Sequence, residues 1–60
     1  MTEDLLLYTI AEVARILKVT ERTVYNYVKS GSLIAAKIGK HWRIKAADLK
    51  KFIDDAIINE

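Results

Sequence analysis

The stretch TIAEVARILKVTERTVYNYVKSGSL, from Thr9 to Leu33, encodes two short amphipathic helices joined by a tight turn. Thr9 and Glu12 form a capping-box pattern, in which each side chain satisfies a free backbone N–H at the start of a helix. Ile10, Val13, Ala14 and Leu17 then recur at helical spacing as one apolar stripe. Lys18 and Val19 make the connection, with Val19 as the expected buried turn residue. Thr20 is a natural N-cap for the second helix. Its apolar stripe is Val24, Tyr27 and Val28, and Gly31 is suited to the left-handed conformation that stops a helix. Arg22, Tyr25, Asn26 and Lys29 fall on the other side, roughly 160° away at 3.6 residues per turn.

Downstream the period changes. Leu33 to Ile38 is short and apolar, Gly39-Lys40 reads as a turn, and His41 to Ile44 alternates. This predicts a two-stranded hairpin with Trp42 and Ile44 on its inner face and His41 and Arg43 facing out. A third helix is expected from about Ala46, with Leu49, Phe52, Ile53 and Ala56 as its core stripe and Asp48 favourably placed in its first turn. Residues 1–8 read as a lead-in. The predicted fold is mainly α with a small β-hairpin, a winged helix-turn-helix in one domain over residues 1–60 with its core in 9–57.

With 60 residues, the chain is one domain at most, and a domain this small buries only about 60% of the surface its unfolded chain exposes. A hydrophobic content of 52% excludes a disordered polar tail. There is no cysteine, hence no disulfide framework and no thiolate metal site. The run Leu5-Leu6-Leu7-Tyr8 is too short for a signal-peptide core and has acids ahead of it. No stretch approaches the roughly 18 apolar residues of a membrane span. The expected location is the cytoplasm, with the nucleoid.

The net charge of +2 conceals an uneven distribution. All ten basic residues lie between Arg15 and Lys51, where the only acids are Glu21 and Asp48; the other acids are shared equally by the two ends. A basic centre with acidic ends predicts a surface facing a polyanion.

Helix, turn, helix, hairpin, helix leaves the outer side of the second helix projecting, and a helix fits the major groove of B-DNA. Asn26 is the best candidate for a base contact, because an amide pairs bidentately with adenine N6 and N7. Arg22 suits guanine or phosphate. Thr20, Thr23, Tyr25 and Lys29 suit phosphate, which positions a protein without specifying sequence. For Tyr25, packing at the rim of the core is an equal alternative. Lys37, Lys40, His41 and Arg43 are the wing's candidates for phosphate or the adjacent minor groove.

Thr9 to Leu33, with KIGKHWRI (Lys37 to Ile44) and DLKKFI (Asp48 to Ile53), resembles the excisionase-like helix-turn-helix family, related to the winged DNA-binding domains of MerR-type regulators. The resemblance implies a winged helix-turn-helix fold and double-stranded DNA binding, in transcription or in recombination by phage and mobile elements. It implies recognition by Arg22, Thr23, Tyr25 and Asn26, and a wing at Gly39 to Arg43. Many members carry a proline after the leucine of the first wing strand, where this chain has Ile34. Many also carry two arginines at the wing tip, where this chain has Lys40 and His41. The coiled coil and effector domain of MerR regulators are not in this sequence.

Other readings of the same residues are bland. Tyr27 and Trp42 are expected in the core, and Lys50 and Lys51 on a solvated helix face. His41 is the only histidine, too little for a zinc site with three or four ligands. Asp54 and Asp55 point about 100° apart on a helix and cannot face each other as an acid–base pair. Gly39-Lys40 lacks the rest of a phosphate-loop signature. Neither enzymatic activity nor a cofactor or metal is expected. The expected partners are double-stranded DNA, other copies of the chain on DNA, and a site-specific recombinase or RNA polymerase. Leu5 to Leu7 and Ile57-Ile58 are available for self-contact or for the chain's own core. Two alternatives remain at this level: a protein–protein adaptor, and the N-terminal targeting module of a larger recombinase.

Overall fold

The first two helices begin at threonines whose side chains cap them. In the computed structural model, which describes residues 6–57, the order is β1 (Leu7–Tyr8), α1 (Ile10–Leu17), α2 (Glu21–Ser30), β2 (Ala36–Ile38), β3 (His41–Lys45) and α3 (Ala46–Ala56). The Thr9–Glu12 capping box is formed: Glu12 N donates to Thr9 Oγ1 at 3.0 Å, and Thr9 N donates to Glu12 Oε1 at 2.9 Å. Thr20 caps α2, its Oγ1 accepting from Thr23 N at 3.1 Å.

Both helices of the pair end in the same hydrogen-bond pattern. Lys18 N donates to Arg15 O and Val19 N to Ala14 O; Gly31 N donates to Val28 O and Ser32 N to Tyr27 O. This is the Schellman arrangement, which requires a left-handed residue to close it. Gly31 supplies it at φ 86, and Lys18 supplies it at φ 61, the only non-glycine residue with positive φ among those described.

The core is small. Val13, Ala14, Val24, Leu33, Ile44 and Leu49 are buried, and Tyr8, Ile10, Leu17, Val19, Tyr27, Val28, Ala35 and Phe52 pack around them. Val19 is half-buried, so it seats the turn on the core without being sealed in it. The Tyr27 and Phe52 rings meet at 5.0 Å between centroids, tilted by 45°, and this contact joins α2 to α3.

The expected two-stranded wing is a three-stranded antiparallel sheet of order β1-β3-β2. Leu7 and Tyr8, expected in the lead-in, pair with Lys45 and Ile44, and Ala46 N donates to Leu6 O at 3.1 Å. Tyr8 packs on the core, which therefore begins ahead of residue 9. The hairpin registers Ala36 with Arg43, Lys37 with Trp42 and Ile38 with His41, turning at Gly39 (φ 64) and Lys40.

Three further expectations need correction. The first wing strand starts at Ala36 rather than Leu33. The Leu33 amide donates to the Tyr27 carbonyl at 3.1 Å, so Leu33 belongs to the end of α2 and drops into the core there. On α3, Leu49 is buried and Phe52 half-buried, but Ile53 is 37% exposed and Ala56 is exposed, so only the first part of the stripe meets the core. Trp42 shares the inner face of β3 with Ile44, yet it is half-buried and lies outside the core cluster. Of the apolar ends, Leu6 (48%), Leu7 (39%) and Ile57 (58%) are exposed; Leu5 and Ile58 lie outside the described residues.

Candidate nucleic-acid interface

The outer side of α2 is set by the residues on its inner side. Val24 is fully buried, with Tyr27 and Val28 packed beside it, and this fixes the helix's rotation. Arg22, Tyr25, Asn26 and Lys29 are all exposed on the opposite side. Tyr25 resolves to the exposed alternative at 39%, with Lys29 Nζ 5.8 Å from its ring centroid. At this distance the cation and the ring face attract each other, which orders two long side chains on the projecting surface.

Thr20 and Thr23 have prior commitments. Their hydroxyls lie 2.9 Å apart, and Thr20 Oγ1 also accepts from the Thr23 amide. Thr20 is exposed and Thr23 half-buried, so Thr20 is the better placed of the two to meet a ligand. Arg22 stands in the first turn that this cap begins.

The hairpin brings Lys37, Lys40, His41 and Arg43 into one region, but not equivalently. Lys37, Lys40 and His41 are exposed. Arg43, expected to face out, is half-buried, and its Nη1 donates to the Trp42 carbonyl at 2.9 Å. The folded-back guanidinium stiffens the strand and has fewer donors left for a ligand. Lys37 stands across the ladder from Trp42 and holds its Nζ 5.4 Å from that ring's centroid.

On α3 two lysines are neutralised locally. Lys50 pairs with Asp54 at 2.9 Å and Lys51 with Asp55 at 3.3 Å along exposed α3, as expected of a solvated face. Among the described residues, no carboxylate pairs in this way with Arg22, Lys29, Lys37, Lys40 or Arg43. Among the described residues, the cations without such a partner thus include those of α2 and the wing.

A feature that periodicity could not reveal is an open cleft of about 350 Å³ between the start of α1 (Thr9 to Ala11) and the wing residues Lys40 to Arg43. Trp42 contributes to its wall.

Residues 7–56 match the helix-turn-helix domain family. The chain belongs to that family. The helix-turn-helix domain accounts for nearly all the described residues, with α1 and α2 as the pair of helices and the hairpin as the wing. A Bacillus subtilis protein named "Uncharacterized protein YvgK" is 47% identical over 45 residues, which cover 75% of this chain and 15% of that protein. Two Mycobacterium tuberculosis proteins, from different strains and each named "Putative DNA-binding protein", are 42% identical over 40 residues, covering 67% of this chain and 51% of theirs. The chain thus matches about half of the mycobacterial proteins and a small part of the Bacillus one. No solved structure matches it significantly. Among the described residues, no helix is long and apolar enough to cross a membrane.

Proposed function

We propose that this helix-turn-helix domain binds double-stranded DNA without catalysis, laying the outer side of α2 in the major groove and the wing against phosphate or the adjacent minor groove. The observation that carries this is the division of α2. Val24, Tyr27 and Val28 pack inward, while Arg22, Tyr25, Asn26 and Lys29 stand exposed together on the other side. That surface offers an amide for adenine, a guanidinium for guanine or phosphate, and an ammonium for phosphate. The DNA-binding names of the mycobacterial relatives support the same partner.

A single module of this size covers about 600–1,000 Å² of a protein–DNA interface, so tight binding calls for several copies on repeated half-sites or for cooperative assembly. In the cell the domain acts in the cytoplasm on the nucleoid. Its role is that of a small transcriptional regulator or an excisionase-type architectural factor, working with RNA polymerase or with a recombinase. The excisionase-like resemblance of the Thr9–Leu33, Lys37–Ile44 and Asp48–Ile53 blocks supports both jobs. Footprinting on neighbouring genomic DNA separates them: a protected promoter favours regulation, and arrays inside attachment sites favour recombination.

The deciding experiment is selection from random duplex DNA at physiological salt. Enrichment of a short motif, weakened by Arg22→Ala with Asn26→Ala, is the expected result. Failure to retain any duplex even in dilute buffer overturns the proposal, as does a double variant that binds DNA unchanged but loses a protein partner.

A further inference from the structure

Glu21 stands where a surface that meets a polyanion has least use for an acid. It is the first residue of α2, exposed and next to Arg22, inside the stretch Arg15 to Lys51 that holds all ten basic residues. The other described acids are engaged locally. Glu12 accepts from Thr9 N in the capping box, Asp54 and Asp55 hold Lys50 and Lys51, and Asp48 is half-buried in the first turn of α3. Among the described residues, Glu21 makes neither a side-chain hydrogen bond nor an ion pair. Nor can it repeat the part Glu12 plays in α1. The third position of α2 belongs to Thr23, whose amide and hydroxyl are already engaged with Thr20.

We propose that Glu21 is a specificity residue: its carboxylate accepts a hydrogen bond from the exocyclic amino group of a cytosine in the major groove. The proposal rests on the DNA-binding reading of α2 and adds to it a base reader of opposite charge. Arg22 and Lys29 only donate, and Asn26 both donates and accepts. Glu21 contributes the acceptor-only group that a cytosine amino edge calls for. Helix side chains lean toward the N-terminus, so a carboxylate at the first position reaches past the end of α2 that leads into the groove. Thymine and guanine present oxygen acceptors there, which repel it. The surrounding phosphates repel it on every sequence. That cost is recovered only where a cytosine meets it, so Glu21 gives up general affinity for discrimination.

The test is selection from random duplex DNA with the unaltered chain, Glu21→Gln and Glu21→Ala, each checked for folding by circular dichroism. The unaltered chain is expected to enrich a motif with cytosine at a fixed offset from the adenine read by Asn26. Replacing that cytosine with thymine should weaken binding about tenfold. Glu21→Ala should erase this preference and leave the adenine position strict. It should also bind random duplex about two- to threefold more tightly at low salt, because a phosphate repulsion is gone. That gain should shrink as salt rises and screens the charge. An acid in a first turn also suits the helix dipole. A purely structural role of that kind would lower Tm in both variants and move neither the base preference nor the salt dependence of the gain.

A selected motif without a cytosine position overturns the proposal and leaves the α2 reading standing. A folded Glu21→Ala variant that keeps the cytosine preference, or weakens all duplexes alike, does the same. If Glu21→Ala fails to fold, Glu21→Gln decides: it preserves the shape of the side chain and should tolerate adenine at the cytosine position, and an unchanged preference overturns the proposal. Absence of any duplex binding overturns both readings.

Discussion

The amide of Val19 donates to the carbonyl of Ala14 at 3.0 Å, and this bond both ends α1 and turns the chain toward α2. It requires the intervening Lys18 to sit at φ 61, where an L side chain costs about 1–2 kcal/mol. Gly31 meets the same demand at the end of α2 with no such cost, and a Cβ there would meet nothing within 4 Å. Opposite substitutions should therefore have opposite effects. Lys18→Gly relieves the left-handed residue but adds freedom to the unfolded chain, worth about 0.5–1 kcal/mol. Its net gain should be about 0.5 kcal/mol, a few degrees in Tm for a domain of this size. Gly31→Ala should lose about 1 kcal/mol purely through the backbone. Thermal melts followed by circular dichroism check both, and equal shifts of one sign would refute the shared geometry.

Ile44 is fully buried and pairs with Tyr8, so it ties the sheet to the helices. Truncation to alanine should cost about 2–5 kcal/mol. A chain of 60 residues has in total about 3–9 kcal/mol of stability. Ile44→Ala should therefore be largely unfolded in urea concentrations that the parent tolerates, and Ile44→Val should lose only about 1 kcal/mol. Urea titrations with equal slopes test this. A change in slope would mean that the sheet detaches separately from the helices.

Signals written in side-chain chemistry were the legible ones. The capping box at Thr9 and Glu12, the Thr20 cap and the stop at Gly31 each need particular atoms, and those residues announce them. The periodic stripes told which way α1 and α2 face, and hence which residues of α2 stand outside. Reach was illegible. A stripe says which side of an element is apolar but not how far its neighbour extends, so Ile53 and Trp42 were expected in a core that stops short of both. Two residues, Leu7 and Tyr8, are too few to show a strand period. Leu33 reads as strand because its capture by the Tyr27 carbonyl is a matter of three-dimensional closure. Lys18 takes its conformation from the turn and not from its own preference. Arg43 folds back onto the Trp42 carbonyl, which no spacing rule anticipates.

Asn26 is exposed and makes no packing contribution to the core cluster, so Asn26→Ala should change stability by no more than about 0.5 kcal/mol. Its effect should fall on recognition. Loss of a bidentate amide–adenine pair removes about 1–3 kcal/mol of discrimination at one base pair. Competition between the selected site and its single-base variants should show that position alone becoming permissive. Lys29→Ala, by contrast, should weaken all sites alike. Uniform weakening by Asn26→Ala would move the base-reading role to another residue.

The division of cations between free and paired predicts how binding responds to salt. Lys40 stands exposed in the wing turn, whereas Lys50 and Lys51 are held by Asp54 and Asp55 on α3. A module touching about four to six phosphates should show log K falling with log salt at a slope near −4 to −5. Lys40→Ala should make that slope shallower by about 1, since one fewer counterion is released on binding. Lys50→Ala with Lys51→Ala should leave it unchanged, despite removing twice the charge, because the lost cations were not directed at DNA. Filter-binding or fluorescence titrations across a range of salt concentrations supply the slopes. If the α3 pair changes the slope and Lys40 does not, the duplex lies along α3, and both the α2 interface and the wing contact are wrongly placed.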